Sequence, residues 1–557
     1  MLRRLRYRIP VRVRHYWKLL AVCAAVVAVL ATVLSTVRVA PLVTSTSDEN
    51  GDQVTQNVRG TRDLFDATLA HSMTITFRDA DYQRLLDSFW NEGEKEFLEA
   101  DLTIDGTVVA GVGIRLKGNS TLAGLTRGGA SRPGGFGAGG RGPGGQALGG
   151  GDPGGVGPGG GGPAGGGPAG GGLGGFGPGG GGPGGGGPGG GGGGPGGGGP
   201  GGGGRGGFGA ALKAEEPETL PWLIRFDEFV SGRRYQGHRE IAVRVGGMGG
   251  GTTVLNEAVS LSLLAGAGQT AQRYAYTSFT VNDRPTTARL VVEHPDEHFA
   301  EAVGGSGVLY KSLATSQFTD QGGDPTSYAD DFKQITKKGS QDLQPVIDLV
   351  RWVNTADDQQ FDAKLGDRLD VESFARYTAA QNLLLNSDDM AGPGRNYYLW
   401  YDLRTKRFTV IGWDYNLAFS GRADQDPAAS VSMGGMFAGG ADGMPPAGFQ
   451  PPDGFQPPAG MRPQGGGGFG GLGGNKLKER FLASAAFKPV YQKAYRELYQ
   501  KMYGSGAALA AVDAISGVLG TAGGYDRQKT DADADELRTL IRQRTEYLAG
   551  TDLIRQP

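Results

Sequence analysis

Acidic and amide side chains gather in one stretch, LLLNSDDMAGPGRNYYLWYDLRTKRFTVIGWDYNLAFSG, from Leu383 to Gly421. Asp388 and Asp389 follow a helical pattern, Asn396 stands where one strand pattern begins, and Asp414 where the next one ends. Antiparallel strands bring their outer ends together, so a hairpin here predicts Asn396 close to Asp414. A carboxylate and an amide oxygen suit a divalent ion such as Mg2+, which takes a few hard oxygen ligands and completes its shell with water and substrate phosphates. Kinase sites combine such a pair with a separate catalytic Asp. Asp and Asn also form turns, which is the competing reading of each of them alone.

Other chemistries are poorly provided for. The single cysteine, Cys23, lies in an apolar run, so there is neither an intrachain disulfide framework nor a Cys-based zinc site. His294 and His298 have an i, i+4 spacing but lack the rest of a zinc-protease motif. GGMGGGTT at 246–253 and KGNST at 117–121 lack the GxxxxGK[ST] spacing of a Walker loop. Tyr397, Tyr398, Trp400 and Tyr401 sit on a strand pattern and read as core and sheet contacts. No two acids are paired as a glycosidase needs. With 55 basic and 57 acidic residues the net charge is −2, which gives nucleic acid nothing to be drawn to.

The elements that must position the acidic residues follow from periodicity. Strand patterns run over 73–79, 100–121 (strand, Asp-Gly turn, strand), 221–229, 239–245, 274–282 and 288–294. Helical patterns cover 79–90, 254–268, 339–354, 371–386, 475–503, 506–519 and 529–549, and a hairpin pattern covers 396–414. The expected fold class is α+β: a β-rich N-terminal lobe with one helix, then a mainly helical C-terminal lobe.

Glycine makes up 105 of the 557 residues. The excess is concentrated in two stretches rich in Gly and Pro, 128–209 and 433–474. Prolines in the first recur every five residues (153, 158, 163, 168), which excludes the three-residue repeat of collagen. Both read as disordered insertions into one domain, since loop-closure entropy grows only logarithmically with length.

Leu19 to Val37 is uncharged over nineteen residues, about the length of a bilayer-spanning helix, and follows Arg3, Arg4, Arg6, Arg8, Arg12, Arg14 and Lys18. The positive-inside rule places that basic flank in the cytoplasm and the main domain outside. A cleaved signal peptide is the alternative, and the absence of a small-x-small cleavage site favours an uncleaved anchor in the lipid bilayer. The expected organisation is a tail at 1–18, an anchor at 19–37, a stalk at 38–64, an N-lobe at 65–294 and a C-lobe at 295–557.

RLKGNST at 115–121, Asn386-x-Asp388, RNYYLWYD at 395–402 and WDYNLAF at 413–419 together resemble the CotH kinase family, a protein-kinase-like group that includes bacterial spore-coat kinases. VLNEAVS at 254–260, VVEHPDEHF at 291–299 and GVLYK at 307–311 add to the likeness. The resemblance implies a two-lobed kinase-like fold that transfers the γ-phosphoryl group of ATP to Ser or Thr of envelope or coat proteins, with Mg2+ or Mn2+. It implies Asp388 as the catalytic residue, with Asp389 as a fallback, and Asn396 and Asp414 as metal ligands. Backbone groups near Glu293 would meet adenine, and Glu257 would pair with a phosphate-binding cation. Family members usually carry a basic residue just before the strand that here reads LPWLIRF. That position is apolar in this chain, which leaves Arg225, Arg115 or Lys117 for the phosphates. The competing class is a non-catalytic surface, coat-assembly or adhesion protein.

Overall fold

The computed structural model describes residues 53–118, 121–132, 212–246, 254–429 and 474–555, with Val22 and Ala25 as isolated positions. The anchor expected at 19–37 and nearly all of both Gly/Pro stretches lie outside the described residues, as do 247–253 of the glycine-rich turn. Among the described residues no single helix is long and apolar enough to cross a membrane.

The N-terminal half is built from β1 (Gln56–Val58), β2 (Ala70–Thr76), helix α1 (Asp79–Asn91), β3 (Leu98–Ile104), β4 (Thr107–Leu116), β5 (Leu125–Arg127), β6 (Ala130–Ser131), β7 (Leu212–Lys213), β8 (Trp222–Arg225), β9 (Arg233–Tyr235), β10 (Glu240–Val243), α2 (Leu255–Gly266), β11 (Tyr274–Val281) and β12 (Thr287–Glu293). Seven of these strands close a barrel in the order β10-β12-β11-β2-β3-β4-β8. Closure leaves no exposed edge in that sheet. The inward residues alternate as a period of two requires: Met73 and Ile75, Leu102 and Ile104, Val112, Ile114 and Leu116, Ile241 and Val243, Phe279 and Val281 share one buried cluster. The β3–β4 turn is Asp105-Gly106, at φ 46° and 81°, the left-handed pair that a two-residue hairpin favours.

The barrel also shows how the first Gly/Pro stretch is accommodated. β4 and β8, on either side of it in sequence, are hydrogen-bonded neighbours from Gly113↔Arg225 to Leu116↔Trp222. Closer to the stretch, β5 pairs in parallel with β7 through Leu125↔Leu212 and Thr126↔Lys213. Residues 56–58, within the expected stalk, belong to the folded body instead. They pair as β1 with β9, and Thr55 Oγ1 donates to the Ser231 carbonyl at 2.7 Å.

The second half contains α3 (Glu297–Val303), β13 (Gly307–Ser312), β14 (Phe332–Gln334), α4 (Gln344–Thr355), α5 (Asp358–Lys364), α6 (Val371–Leu383), β15 (Tyr397–Asp402), β16 (Phe408–Gly412), α7 (Lys476–Ala483), α8 (Lys488–Tyr499), α9 (Ala507–Leu519), α10 (Arg527–Ala549) and α11 (Asp552–Arg555). Four strands form a sheet in the order β14-β13-β15-β16. A second hydrophobic cluster joins this half to α2 and to the outward face of β11 and β12 through Tyr274, Tyr276, Leu290 and Val292. The helix expected over 475–503 is broken: α7 ends before Ser484, α8 restarts with Pro489 in its first turn, and residues 500–504 form a π turn. Proline is accepted in a first helical turn, where its missing N–H is not needed, but not in a helix interior. The fold class is mixed α+β, as the periodicity predicts.

Candidate functional site

The C-terminal end of β10 and the start of the segment after β16 meet between the two hydrophobic clusters. Arg244, next after β10, donates from Nη2 to Glu257 Oε1 of α2 at 2.6 Å and from Nη1 to Asp414 Oδ2 at 3.2 Å. Its guanidinium lies 4.9 Å from the Trp413 ring centre, and the Lys117 ammonium lies 5.1 Å from the same ring. Two carboxylates thus share one guanidinium and titrate together. Burial alone would raise Asp414, but Arg244 and then Lys117 outweigh it and hold its carboxyl below the usual range. Glu257 is pushed up to about 7 by burial, against the pull of Arg244. Lys117 is drawn down to about 7 by desolvation, with the Arg244 charge adding to the shift.

Asp414 has φ 59° and ψ 72°, a left-handed conformation. Leu385, Arg395 and Phe419 share this sign of φ. Such residues cost of order 1 kcal/mol each and persist where their surroundings fix them. Here they bracket one loop and one strand end, so the chain spends conformational energy where side chains must be aimed. Asp414 Oδ1 is buried and has no hydrogen-bond partner.

Asp388 lies in the loop between α6 and β15. Its Oδ1 accepts from Gly394 N at 2.5 Å and its Oδ2 from Asn396 Nδ2 at 2.9 Å. A Cβ on Gly394 would stand 2.5 Å from Asp388 Oδ2, and one on Gly392 would stand 2.4 Å from the Asp388 Cα. The loop can therefore wrap the carboxylate only with glycine at both positions. Gln381 of α6 accepts from Asn386 Nδ2 at 2.8 Å, and Asn386 Oδ1 accepts from Asp388 N at 3.2 Å, so the helix end is hydrogen-bonded through to the loop. Burial raises the Asp388 carboxyl to about 7, opposed by the Gly394 hydrogen bond and assisted by the charges of Asp414 and Asp389.

Asn396 accepts from Trp413 N through its own carbonyl at 3.2 Å, which sets its residue beside Asp414 at the strand ends. Its amide nitrogen is used on Asp388, and the amide oxygen remains as its acceptor. Two hard oxygens, the Asn396 amide oxygen and the unpartnered Asp414 Oδ1, fit a divalent cation that takes the rest of its shell from water and phosphate. Among the described residues there is no group of three or more His, Cys, Asp or Glu side chains able to hold a metal alone.

Not all of the sequence candidates come to this place. Asp388, Asn396, Asp414, Glu257 and Lys117 do. Asp389 is instead buried in an ion pair with Lys478. Arg225 is taken by acids: its Nε donates to Asp227 Oδ1 at 2.9 Å, and Glu228 lies 3.3 Å from its Nη1. Arg115 and Arg225 both flank the Phe97 ring, at 5.2 and 5.7 Å. Glu293 N donates to the Arg273 carbonyl at 2.8 Å, and Arg273 N donates to Glu293 Oε2 at 3.0 Å. Of that segment it is His294 that faces Trp413, with ring centroids 5.3 Å apart.

Arg244 is not among the three cations expected at the phosphates, Arg225, Arg115 and Lys117, of which only Lys117 comes to this place. What the sequence offers is only its place: REIAVRV, at 239–245, is the strand pattern that precedes the helix carrying Glu257, with the glycine-rich segment 246–253 between them.

Compared with known families, residues 205–548 match the one described as CotH kinase protein. Comparison with curated proteins finds no match. The matched segment spans well over half of the chain and contains every residue of the Arg244–Glu257–Asp388–Asn396–Asp414 arrangement, so the chain belongs to the CotH kinase family.

Proposed function

We propose that the protein is a kinase that moves the γ-phosphoryl group of ATP to Ser or Thr hydroxyls of envelope or coat proteins, outside the membrane in which residues 19–37 anchor it. The observation that carries this reading is Asp414: strained, held by Arg244, and left with a buried oxygen free for a cation. Protein kinases place a phosphate-binding cation on the strand just before a helix whose Glu pairs with it, then a catalytic Asp, an Asn and a metal-binding Asp. The same order runs here through Arg244, Glu257, Asp388, Asn396 and Asp414, with Arg in the place of Lys. In this reading the barrel is the N lobe and the helical half the C lobe.

Asn396 and Asp414 would hold Mg2+, or Mn2+ in its place, which when bound supplies positive charge on the transferring phosphates. Arg244, kept in place by Glu257, and Lys117 present further positive charge from the barrel side. Arg can grip phosphate oxygens bidentately, which Lys cannot. Asp388, fixed by Gly394 and Asn396, orients the acceptor hydroxyl and takes its proton.

The test is phosphate transfer and ATP-dependent thermal stabilisation of the full chain with Mg2+ and with Mn2+. The parent is expected to show both. Asp414→Ala should lose both, whereas Asp388→Ala should lose transfer by about a hundredfold or more yet keep the thermal shift. A parent stabilised by ATP that transfers nothing would favour the non-catalytic assembly role. A parent that shows neither would end the kinase reading.

A further inference from the structure

The loop that bears Asp388 has no regular structure, yet its fixing points come from an unexpected place. Residue 474 is the last of the second Gly/Pro stretch and the first described residue after Ala429. Gly474 N donates to the Ala391 carbonyl at 2.9 Å. Four residues on, in the first turn of α7, Lys478 Nζ is hydrogen-bonded to Asp389 Oδ2. Lys478 is 3% exposed and Asp389 1%. Asp389 Oδ1 in turn accepts from Ala391 N at 2.8 Å, and Asp389 O accepts from Gly392 N. Arg395 closes the other end by donating from Nη1 to the carbonyls of Ala391 and Gly392, both at 2.9 Å.

The Lys478–Asp389 pair is not needed to start α7, because Asn475 already caps that helix with its side-chain oxygen on Leu477 N and Lys478 N. Nor is a buried ion pair an economical way to gain stability, since apolar residues of similar volume usually do as well or better. What the pair does provide is geometry and charge at the residue next to Asp388. It fixes the turn Asp389–Gly392, whose glycine touches the Asp388 backbone, and it cancels an anion that would otherwise stand beside a polyphosphate.

We infer that Lys478 is a positioning residue for phosphoryl transfer: through its ion pair with Asp389, the first turn of α7 holds the loop that aims Asp388. The inference rests on the phosphotransfer reading above for its kinetic consequence, and on the loop geometry for its structural one.

The test compares the full chain with Lys478→Met and with the double variant Lys478→Met/Asp389→Leu. The single variant leaves a buried carboxylate unpaired and should be destabilised, whereas the double variant should melt within a few degrees of the parent. Both should show kcat lowered about tenfold to a hundredfold, with KM for ATP within about twofold of the parent. In the double variant the Gly394 amide, which Asp388 protects, should exchange about tenfold faster while amides of α6 stay as in the parent. Recovery of parental kcat along with stability would make the pair merely structural and overturn the inference, as would parental protection of Gly394. Should the parent transfer no phosphate, the kinase reading fails by itself, and exchange at Gly394 still decides whether Lys478 positions the loop.

Discussion

Arg244 balances the charge of the site. It is buried, as is Glu257, and Asp414 completes a triad in which one cation serves two anions. Removing one partner of a buried pair strands the others and costs about 3–5 kcal/mol. Arg244→Met should therefore lower stability in urea by about that amount and abolish ATP-dependent stabilisation. Arg244→Lys keeps the charge but loses the fork that spans Glu257 and Asp414. It should keep most of the stability and lose much of the affinity for ATP, and equal losses of both in the two variants would refute the assignment of Arg244 to the phosphates. The acids of this site were legible in the sequence because Asp and Asn at strand and helix ends stand out. Their cation was not, because Arg244 ends a run of alternating residues in which it looks like one more outward-facing polar position. Lys478 was hidden for a different reason: its partner is 89 residues away, and nothing local distinguishes a buried lysine in KLKERF from a solvated one.

The elements around the site were mostly readable, and the failures have physical causes. Hairpins with strong alternation, such as β3–β4 and β15–β16, fell where the pattern put them. Closure of the barrel did not show, because it depends on parallel pairing of β2 with β11, from Ala70↔Tyr276 to Ile75↔Val281, across some two hundred residues. The β9–β10 turn is another contact of long range. His238 there is wholly buried against Phe65 and His298, with ring centroids 5.0 and 4.7 Å away. Arg273 Nη2 lies 2.7 Å from its Nε2. A guanidinium can only donate, so Nε2 must accept and the imidazole is neutral. Burial, then the charges of His298 and Arg273, press its pKa down to about 3. The unfolded chain takes up this proton below about pH 6.5 while the folded one does not, so this histidine subtracts stability as the pH falls. His238→Gln should remove that dependence. Between pH 6.5 and pH 5, urea unfolding of the parent should lose about 2 kcal/mol more than that of the variant, at about 1.4 kcal/mol per pH unit. A difference that does not change with pH would show that His238 takes up its proton in the folded state at the same pH as in the unfolded chain.

At the scale of the whole molecule, the described segments on either side of the first Gly/Pro stretch lie close together. The barrel strands on either side of the first Gly/Pro stretch are direct neighbours, and the strands β6 and β7 at its two margins both pair with β5. Adjacent strands are about 4.8 Å apart, so the chain leaves and returns at points separated by about 10 Å. A linker of four to six residues, at up to about 3.3 Å each, can cross that gap. Residues 134–210 should thus be replaceable by a short Gly-Ser linker with a single cooperative unfolding transition retained. Closure entropy falls by about 0.6 kcal/mol for each halving of the length of a connection, so the midpoint should rise slightly or stay the same. Loss of cooperativity, or a fall of many degrees, would mean that the stretch packs on the barrel and contributes to its core. Phosphate transfer by this variant carries separate information. Lys117, beside the Trp413 ring, follows the end of β4 and stands only a few residues before β5 and the stretch. Transfer rates equal to those of the parent would assign the Gly/Pro stretch a role away from the reacting atoms. A changed KM for the protein acceptor with an unchanged KM for ATP would place its role in access to the site.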